Sequence, residues 1–234
     1  MSSTPTLYPM IVAAGRGSRF GAQIPKQYTQ LLGKTLLEHS IAALAQSAAI
    51  HECLIVISKE DTTAQTLDFA LPVRYTTGGA ERWQSVQAGL THIIEAGAAP
   101  DDLVLIHDAA RPAVSPQDIE AVIDAAHKER YGAILAAPVA DTLKQSLTGT
   151  PAYIERTIER SQLWQAYTPQ VFRIGALQTA LDYVAKTGAH ITDEASAFES
   201  MGLPIRLVSG SRQNIKLTYP EDADLLSAIL TTRR

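Results

Sequence analysis

The sequence predicts an α/β fold: a mainly parallel sheet with helices on both faces and a protruding β-hairpin arm. Three observations support this prediction. Short β-branched runs alternate with longer segments of helical period. Most of the short runs are apolar at nearly every position, which is typical of parallel strands buried on both faces. One polar, threonine-rich segment at residues 139–160 interrupts the alternation.

The apolar runs are predicted as strands because β-branched residues favour extended backbone. Six such runs occur, at residues 9–14, 53–58, 73–77, 103–108, 133–139 and 205–209. Cys53 opens the second run and is the only cysteine, so the chain alone cannot build a disulfide. Its apolar neighbours indicate a small buried side chain rather than a nucleophile.

The segments between the strands have helical period. Helices are predicted at residues 35–46, 80–96, 116–129, 174–186 and 220–232. Pro116 and Pro220 stand in predicted first turns, where proline is tolerated. In sheets of this class ligands bind beyond the carboxyl ends of the strands, so a functional site is expected in the loops after them.

The segment 139–160 reads as an extended two-stranded hairpin around the turn "TGTP". A lone hairpin is marginal in water, so we expect this arm to pack on a second subunit and to form a homodimer. No internal repeat, low-complexity tract or linker divides the chain. We therefore predict one domain over residues 1–234, with the arm as its only extension.

Composition limits the classes of function. The chain is 46% hydrophobic and 19% charged, with a formal net charge of −4. Nucleic-acid binding needs a basic surface, so no nucleic-acid partner is expected. The N-terminus lacks the basic and apolar regions of a signal peptide, and no later apolar run approaches bilayer-spanning length. We therefore expect a cytoplasmic protein with no membrane partner.

The stretch "IVAAGRGSRFGAQIPKQY" after the first strand is a glycine-rich loop that two common motifs do not explain. A P-loop requires a glycine five residues before "GK", and Tyr28 occupies that position before Gly33. A dinucleotide fingerprint, G-x-G-x-x-G, would need its third glycine one place earlier than Gly21. It would also need a helix directly after the loop, which Pro25 prevents.

The same loop nevertheless suits a nucleoside triphosphate. Gly15 and Gly17 allow backbone N–H groups to approach phosphate oxygens, and Arg16, Arg19 and Lys26 supply positive charge. The glycines alone fit an ordinary tight turn equally well, with the cations solvated.

Candidate residues also follow later strands. Asp108 ends an apolar strand, where a carboxylate could hold Mg²⁺ with water ligands or cap a turn. His107 beside it is more typical of a packed residue, because Mg²⁺ prefers oxygen. Gly78, Gly79 and Ser85 stand at a predicted helix start, a natural place for base and ribose contacts.

A phosphorylated acceptor would need cations and hydroxyls of its own. The candidates are Arg111, Arg160, Lys216, Thr142, Thr168 and Thr192. From composition alone, Arg160 would be a solvated arginine and Thr192 the N-cap of a helix over "DEASAFES". Trp164 and Tyr167 lie at helical spacing and are predicted to be packing residues rather than a base-stacking platform.

Taken together, these segments resemble the family of cytidylyltransferases that make 4-diphosphocytidyl-2-C-methyl-D-erythritol in non-mevalonate isoprenoid synthesis. The resemblance covers nearly the entire chain. It is carried by "AAGRGSRF" with "PKQ", and by "GGAERWQSV", "HDAARP", "APVADTLK", "ERSQLWQAYTPQVF", "TDEASAFE" and "NIKLTYPEDADL". It implies a Rossmann-like nucleotidyltransferase sheet.

The resemblance also implies roles for the candidates. The backbone of Ala13, Ala14, Gly15, Arg16, Gly17 and Ser18 would wrap the triphosphate of CTP, and Gly79 and Ser85 would contact cytosine and ribose. Arg19 and Lys26 would stabilise the transition state, while Arg160 and Lys216 would position the acceptor phosphate. Asp108 would contact Mg²⁺, whereas Gln213 stands where some members carry an aspartate reported as a metal contact. The acceptor site would be completed by Asp108, Arg111, Thr142, Thr168 and Thr192.

The expected reaction is transfer of CMP from CTP to 2-C-methyl-D-erythritol 4-phosphate, with release of pyrophosphate. The attacking phosphate is already an anion, so catalysis must bring two polyanions together and stabilise the developing charge. Two alternatives stay open: an enzyme for another acceptor such as ribitol 5-phosphate, and a non-catalytic nucleotide-binding protein. We also expect the arm to deliver Arg160 into the partner's active site.

Overall fold

The fold is described from a computed structural model, which covers residues 4–15 and 24–233. Its strands are β1 (Leu7–Val12), β2 (Gln30–Leu31), β3 (Lys34–Thr35), β4 (Cys53–Ile57), β5 (Val73–Thr77), β6 (Leu103–Asp108), β7 (Gly132–Pro138), β8 (Leu143–Ser146), β9 (Ile154–Ile158), β10 (Trp164–Arg173) and β11 (Arg206–Ser209). Its α-helices are α1 (Leu36–Leu44), α2 (Arg82–Glu95), α3 (Pro116–Lys128), α4 (Ile174–Thr187), α5 (Glu194–Ser200) and α6 (Asp222–Thr232).

Seven of these strands form one sheet in the order β11-β7-β10-β6-β1-β4-β5. The six predicted strands are all present, within two residues of their predicted bounds, and all run in the same direction. Val12 at the end of β1 pairs with Asp108 at the end of β6, so the loops after both strands meet at one edge. This edge carries the candidate site.

Strand β10 is the strand of the seven-stranded sheet that the sequence pattern did not predict. It runs antiparallel between β6 and β7 and joins two parallel halves of the sheet. Pro169 lacks an N–H for the ladder and argues against a central strand, and the structure accommodates it where the register with β7 shifts between Ala166 and Gln170. The helical spacing assigned to Trp164 and Tyr167 was therefore wrong. Tyr167 is buried as a packing residue, but Trp164 is exposed, so its packing prediction was also wrong.

Local capping explains where most helices begin. Thr35 and Glu38 form a capping box at α1, and Ser115 caps α3 with Pro116 in its first turn, as predicted. Helix α6 begins at Asp222, so Pro220 lies two residues before the helix and not in its first turn, contrary to the prediction. The short helix α5 is capped by Asp193, whose side chain accepts a hydrogen bond from the Ser196 N–H, so the N-cap interpretation of Thr192 was wrong.

Two apolar layers enclose the sheet. Helices α1 and α3 pack on one face, with Leu37, Ile41 and Ile119 buried there. Helices α2, α4 and α5 cover the other face, where the rings of Phe172 and Phe198 stack 5.1 Å apart. A smaller cluster joins α6 to the short β2–β3 hairpin. Burial on both faces accounts for the continuous apolar pattern of the central strands β1, β4, β6 and β7.

The predicted arm is confirmed as a hairpin. Strands β8 and β9 pair only with each other, and Leu143 stands opposite Ile158. Nearly all of its residues are exposed, including the large apolar side chains of Leu147, Tyr153 and Ile154. No helix in the described part of the chain is long and apolar enough to cross a membrane.

Candidate active site

The loop after β1 opens the site. Ala13, Ala14 and Gly15 line a cavity at the carboxyl edge of the sheet. Lys26, in a short 3-10 helix at Lys26–Tyr28, lines the same cavity. The next residue, Gln27, is buried, and its Nε2 donates to the Ala13 carbonyl at 2.7 Å. This bond holds the Lys26 segment against the loop.

Four predicted site residues, Arg16, Gly17, Ser18 and Arg19, lie outside the described residues. Their roles stay predictions.

The turn before α2 closes the other side of this cavity. A Cβ atom on Gly78 would lie 2.6 Å from Ser85 Oγ and 2.8 Å from Ala14 Cβ. Only glycine therefore fits where the β1 loop and α2 meet. Gly79 and Ser85 line the cavity, as the nucleotide-binding prediction requires, and the Ser85 hydroxyl donates to the Glu81 carbonyl at 3.2 Å.

A second cavity adjoins the first. The first, which we call the nucleotide cavity, has a volume of about 200 Å³. The second, which we call the acceptor cavity, has about 230 Å³ and is lined by Arg111, Thr168, Gln170, Thr192 and Asp193, among others. Arg82, Asp108 and Lys216 line both. A group passing from one cavity to the other would cross the border formed by these three side chains.

Asp108 is the centre of that border. Lys216 Nζ donates to Oδ2 at 2.6 Å, and Arg82 Nη2 donates to Oδ1 at 3.1 Å. Burial favours the neutral acid, but the positive charges of Arg82 and Lys216 outweigh it and hold the pKa of Asp108 well below its usual range. Asp108 is therefore a carboxylate at neutral pH.

This carboxylate fits a magnesium ion that is held mainly by substrate phosphates. Mg²⁺ commonly takes one or two carboxylates and completes its shell with phosphate oxygens and water. Among residues 4–15 and 24–233 no cluster of three or more His, Cys, Asp or Glu side chains could form an all-protein cage. Gln213 does not line either cavity, and its Oε1 accepts from Arg233 Nη2 at 2.9 Å.

A buried hydrogen-bond chain supports Asp108 from behind. His107 is fully buried, with Nε2 3.0 Å from the Arg111 carbonyl and Nδ1 2.9 Å from Thr168 Oγ1. A carbonyl can only accept, so Nε2 carries the proton and the Thr168 hydroxyl donates to Nδ1. Thr168 Oγ1 in turn accepts from the Asp108 N–H at 3.0 Å. Both ring nitrogens of His107 are thus used within the protein.

Because His107 is buried in its neutral form, we expect the folded protein to lose stability at acid pH. Burial lowers the pKa of His107 to about 4, whereas an unfolded histidine titrates near 6.5. Between these values the unfolded chain binds more protons, so stability is lost as pH falls from 6.5 towards 4. His107 alone should lower the free energy of unfolding by about 2 kcal/mol between pH 7 and pH 5.

Urea unfolding in metal-free buffer at both pH values, with NMR titration of the His107 ring, measures this effect. The raised pKa of buried Glu194 acts in the opposite direction, so the ring titration is the direct readout. A ring that titrates near 6.5 in the folded protein would contradict the assignment.

Arg111 lies in the acceptor cavity but is held by the protein. Its Nη1 donates to the Asn214 carbonyl at 2.6 Å, and its guanidinium lies 4.8 Å from the centre of the Tyr167 ring. Among the acceptor hydroxyls, Thr168 is buried and Thr192 is exposed. The structure therefore brings Arg111, Thr168, Thr192 and Lys216 together at this cavity.

Thr142 and Arg160 are not brought to either cavity of their own subunit. Both are exposed, Thr142 near the start of the arm and Arg160 at its end. The Arg160 guanidinium donates to the carbonyls of Val139 and Ala140 at the base of the arm. Their predicted roles at the acceptor site therefore stay predictions.

Sequence reasoning missed the pair formed by Arg82 and Glu194. Arg82 Nη1 contacts both carboxylate oxygens of fully buried Glu194, at 2.5 and 2.7 Å. The available signal was the arginine directly after the "GGAE" turn, at the start of a helix whose neighbours were already candidates. Its partner lies 112 positions away along the chain, and no local pattern connects them.

Comparison with known proteins identifies one family over nearly the whole length of the chain. The family model for 2-C-methyl-D-erythritol 4-phosphate cytidylyltransferase matches residues 7–232. The protein of that name from Psychrobacter arcticus is 59% identical over 98% of this chain and 93% of its own length. The one from Burkholderia multivorans is 45% identical over 97% of each chain.

Solved structures agree. A crystal structure of 4-diphosphocytidyl-2C-methyl-D-erythritol synthase superposes with a TM-score of 0.83 and 37% identity, over 97% of this chain and 99% of that one. The 2-C-methyl-D-erythritol 4-phosphate cytidylyltransferase from Thermus thermophilus gives 0.77 and 32%, over 96% and 98%. The chain therefore belongs to the 2-C-methyl-D-erythritol 4-phosphate cytidylyltransferase family.

Proposed function

We propose that this protein is a cytidylyltransferase that transfers CMP from CTP to 2-C-methyl-D-erythritol 4-phosphate in non-mevalonate isoprenoid synthesis. The products are 4-diphosphocytidyl-2-C-methyl-D-erythritol and pyrophosphate. The main observation that supports this proposal is the pair of adjoining cavities, which share a charged border at Arg82, Asp108 and Lys216. Family membership favours methylerythritol phosphate over ribitol 5-phosphate as the acceptor.

The chemistry follows from this arrangement. CTP occupies the nucleotide cavity with its triphosphate along the loop from Ala13, and the acceptor phosphate enters from the other cavity. An acceptor oxygen attacks the α-phosphorus in line, a new P–O bond forms, and the bond to the β-phosphate oxygen breaks. Lys26 and Lys216 offset negative charge that develops during this step, and no general base is required.

We also propose Mg²⁺ as the cofactor, with Asp108 as the protein residue that holds it. The ion would neutralise phosphate charge when bound. The proposed compartment is the cytoplasm, where CTP is available.

A pyrophosphate-release assay with CTP and a panel of sugar-alcohol phosphates tests the function. Release should be fastest with 2-C-methyl-D-erythritol 4-phosphate and should require Mg²⁺. Faster release with ribitol 5-phosphate would reassign the acceptor. Stoichiometric CTP binding without pyrophosphate release from any acceptor would support a non-catalytic nucleotide-binding protein instead.

We further propose that the active unit is a homodimer in which the arm carries Arg160 and Thr142 to the partner's acceptor cavity. Two observations support this. The arm exposes Leu147, Tyr153 and Ile154, which a second subunit would cover. Arg160 and Thr142 match the family's acceptor site, yet neither lines a cavity in its own subunit.

Mixing two inactive variants, Lys26→Ala and Arg160→Ala, should restore activity if Arg160 acts in the partner's site. In a mixed dimer, one site carries both defects and the other carries neither. Random pairing makes half the dimers mixed, so about a quarter of all sites should regain activity in a symmetric pair. Native mass spectrometry would confirm subunit exchange. Exchange without recovered activity would show that Arg160 serves its own subunit.

A further inference from the structure

Arg82 stands at the border of the two cavities with an asymmetric set of contacts. Its Nη1 binds both oxygens of Glu194, at 2.5 and 2.7 Å. Its Nε and Nη2 both reach a single oxygen of Asp108, at the longer distances of 3.2 and 3.1 Å. The contact with Glu194 is therefore the tighter of the two.

Burial of the Glu194 carboxylate is energetically unfavourable unless a cation is paired with it. Glu194 is fully buried at the start of α5, and Arg82 is its ion-pair partner among the described residues. A buried carboxylate loses its hydration, and one well-placed cation offsets that loss only with good geometry. The contact with Glu194 fixes the Nη1 side of the guanidinium. The Arg82 side chain nevertheless keeps 28% of its surface exposed.

Arg82 lines both the nucleotide cavity and the acceptor cavity, so its guanidinium is accessible to ligands from either one. A planar guanidinium matches two oxygens of a phosphate and binds them more strongly than a single carboxylate oxygen at 3.1 Å. A phosphate that arrives at the border can therefore take the place of Asp108 on Arg82, while the bond to Glu194 stays intact.

We propose that Arg82 binds the phosphate of the sugar-alcohol phosphate acceptor, and that Glu194 is the positioning residue that aims it. The inference rests on the proposed function, whose acceptor phosphate must pass this border. Lys216 lies at the opposite oxygen of Asp108, so the two cations flank the point where acceptor and nucleotide phosphates meet.

Binding measurements test Arg82 without turnover. The acceptor is titrated calorimetrically into protein saturated with α,β-methylene CTP and Mg²⁺, because this analogue cannot release pyrophosphate. Arg82→Ala should weaken acceptor binding by about 100-fold, the usual scale when one partner of a close charge pair is truncated. Affinity for the CTP analogue should fall much less than affinity for the acceptor, since the proposal places the acceptor phosphate and not the triphosphate on Arg82.

Arg82→Lys should retain part of the acceptor affinity, because it keeps the charge but loses the paired N–H groups. Free guanidinium ion added to Arg82→Ala should restore part of the turnover. Urea unfolding identifies any variant that does not fold. Arg74→Ala is the matched control, since Arg74 pairs with Glu52 on an exposed surface.

Glu194→Gln isolates the positioning role. It should raise the acceptor KM in the wild-type background, yet have no further effect in the Arg82→Ala background, because its action passes through Arg82. Equal losses in both backgrounds would overturn the positioning role. Acceptor binding that survives Arg82→Ala would overturn this proposal alone, whereas a wild-type protein that binds no sugar-alcohol phosphate would overturn the proposed function as well.

Discussion

Asp108→Asn is expected to remove nearly all pyrophosphate release at sub-millimolar Mg²⁺. Asparagine keeps the shape of the side chain but removes the charge that would hold the cation. In the wild-type protein the pKa of Asp108 is held low by Arg82 and Lys216 against the effect of burial, so the side chain carries its negative charge at neutral pH. Initial rates over a range of Mg²⁺ concentrations measure the effect.

The control for this variant is folding. Removing one member of a buried ion-pair cluster commonly costs about 3–5 kcal/mol, because the remaining charges lose their partner. Urea unfolding of Asp108→Asn should therefore show a less stable but still cooperative protein. Full activity of the folded variant at sub-millimolar Mg²⁺ would mean that Asp108 only orders Arg82 and Lys216.

Lys26→Ala should lower turnover by about two to three orders of magnitude, the loss seen when one preorganised charge-stabilising group is removed. Lys26 lines the nucleotide cavity, and the bond from Gln27 to the Ala13 carbonyl fixes its segment beside the glycine loop. Arg19→Ala should have an effect of the same size, on the prediction that it shares this role. Steady-state kinetics with both substrates saturating measure both variants.

Lys34→Ala is a matched control, because Lys34 is exposed on β3 and does not line the nucleotide cavity. Its turnover should equal that of the wild type. Near-normal turnover of Lys26→Ala would remove Lys26 from the transition-state site. A loss confined to the KM for CTP would instead assign it to ground-state binding.

Much of the fold could be predicted from the sequence pattern because its central parallel strands are buried on both faces. Such strands must be continuously apolar, and the runs that became β1, β4, β6 and β7 carry that signal, whereas β5 and β11 lie at the two edges of the sheet and are partly exposed. Strand β10 carries a weaker signal, since Pro169 interrupts a segment that mixes polar and apolar residues. Its central place depends on pairing with β6 and β7, which lie far from it in sequence.

The site residues also divide into those that the sequence predicted and those that only the structure revealed. Lys26, Asp108 and Lys216 were candidates from sequence and family resemblance, and the structure places all three around one cavity. Arg82 was overlooked because an arginine at a helix start usually lies in water, and nothing near it in sequence indicates its partner. Glu194 was overlooked because, in a short helix, a glutamate reads as an exposed residue until burial is known.

The sequence by itself determined the class of fold, the hairpin arm, the loops that carry the site and most of its charged residues. These are properties of short segments, in which side-chain period, capping and turn chemistry act over a few residues. Only the tertiary structure decided that β10 runs antiparallel inside the sheet, that Asp108 is held between Arg82 and Lys216, and that Glu194 orients Arg82. Those arrangements depend on burial and hydrogen bonds between distant segments, where the loss of water makes each charge require a specific partner.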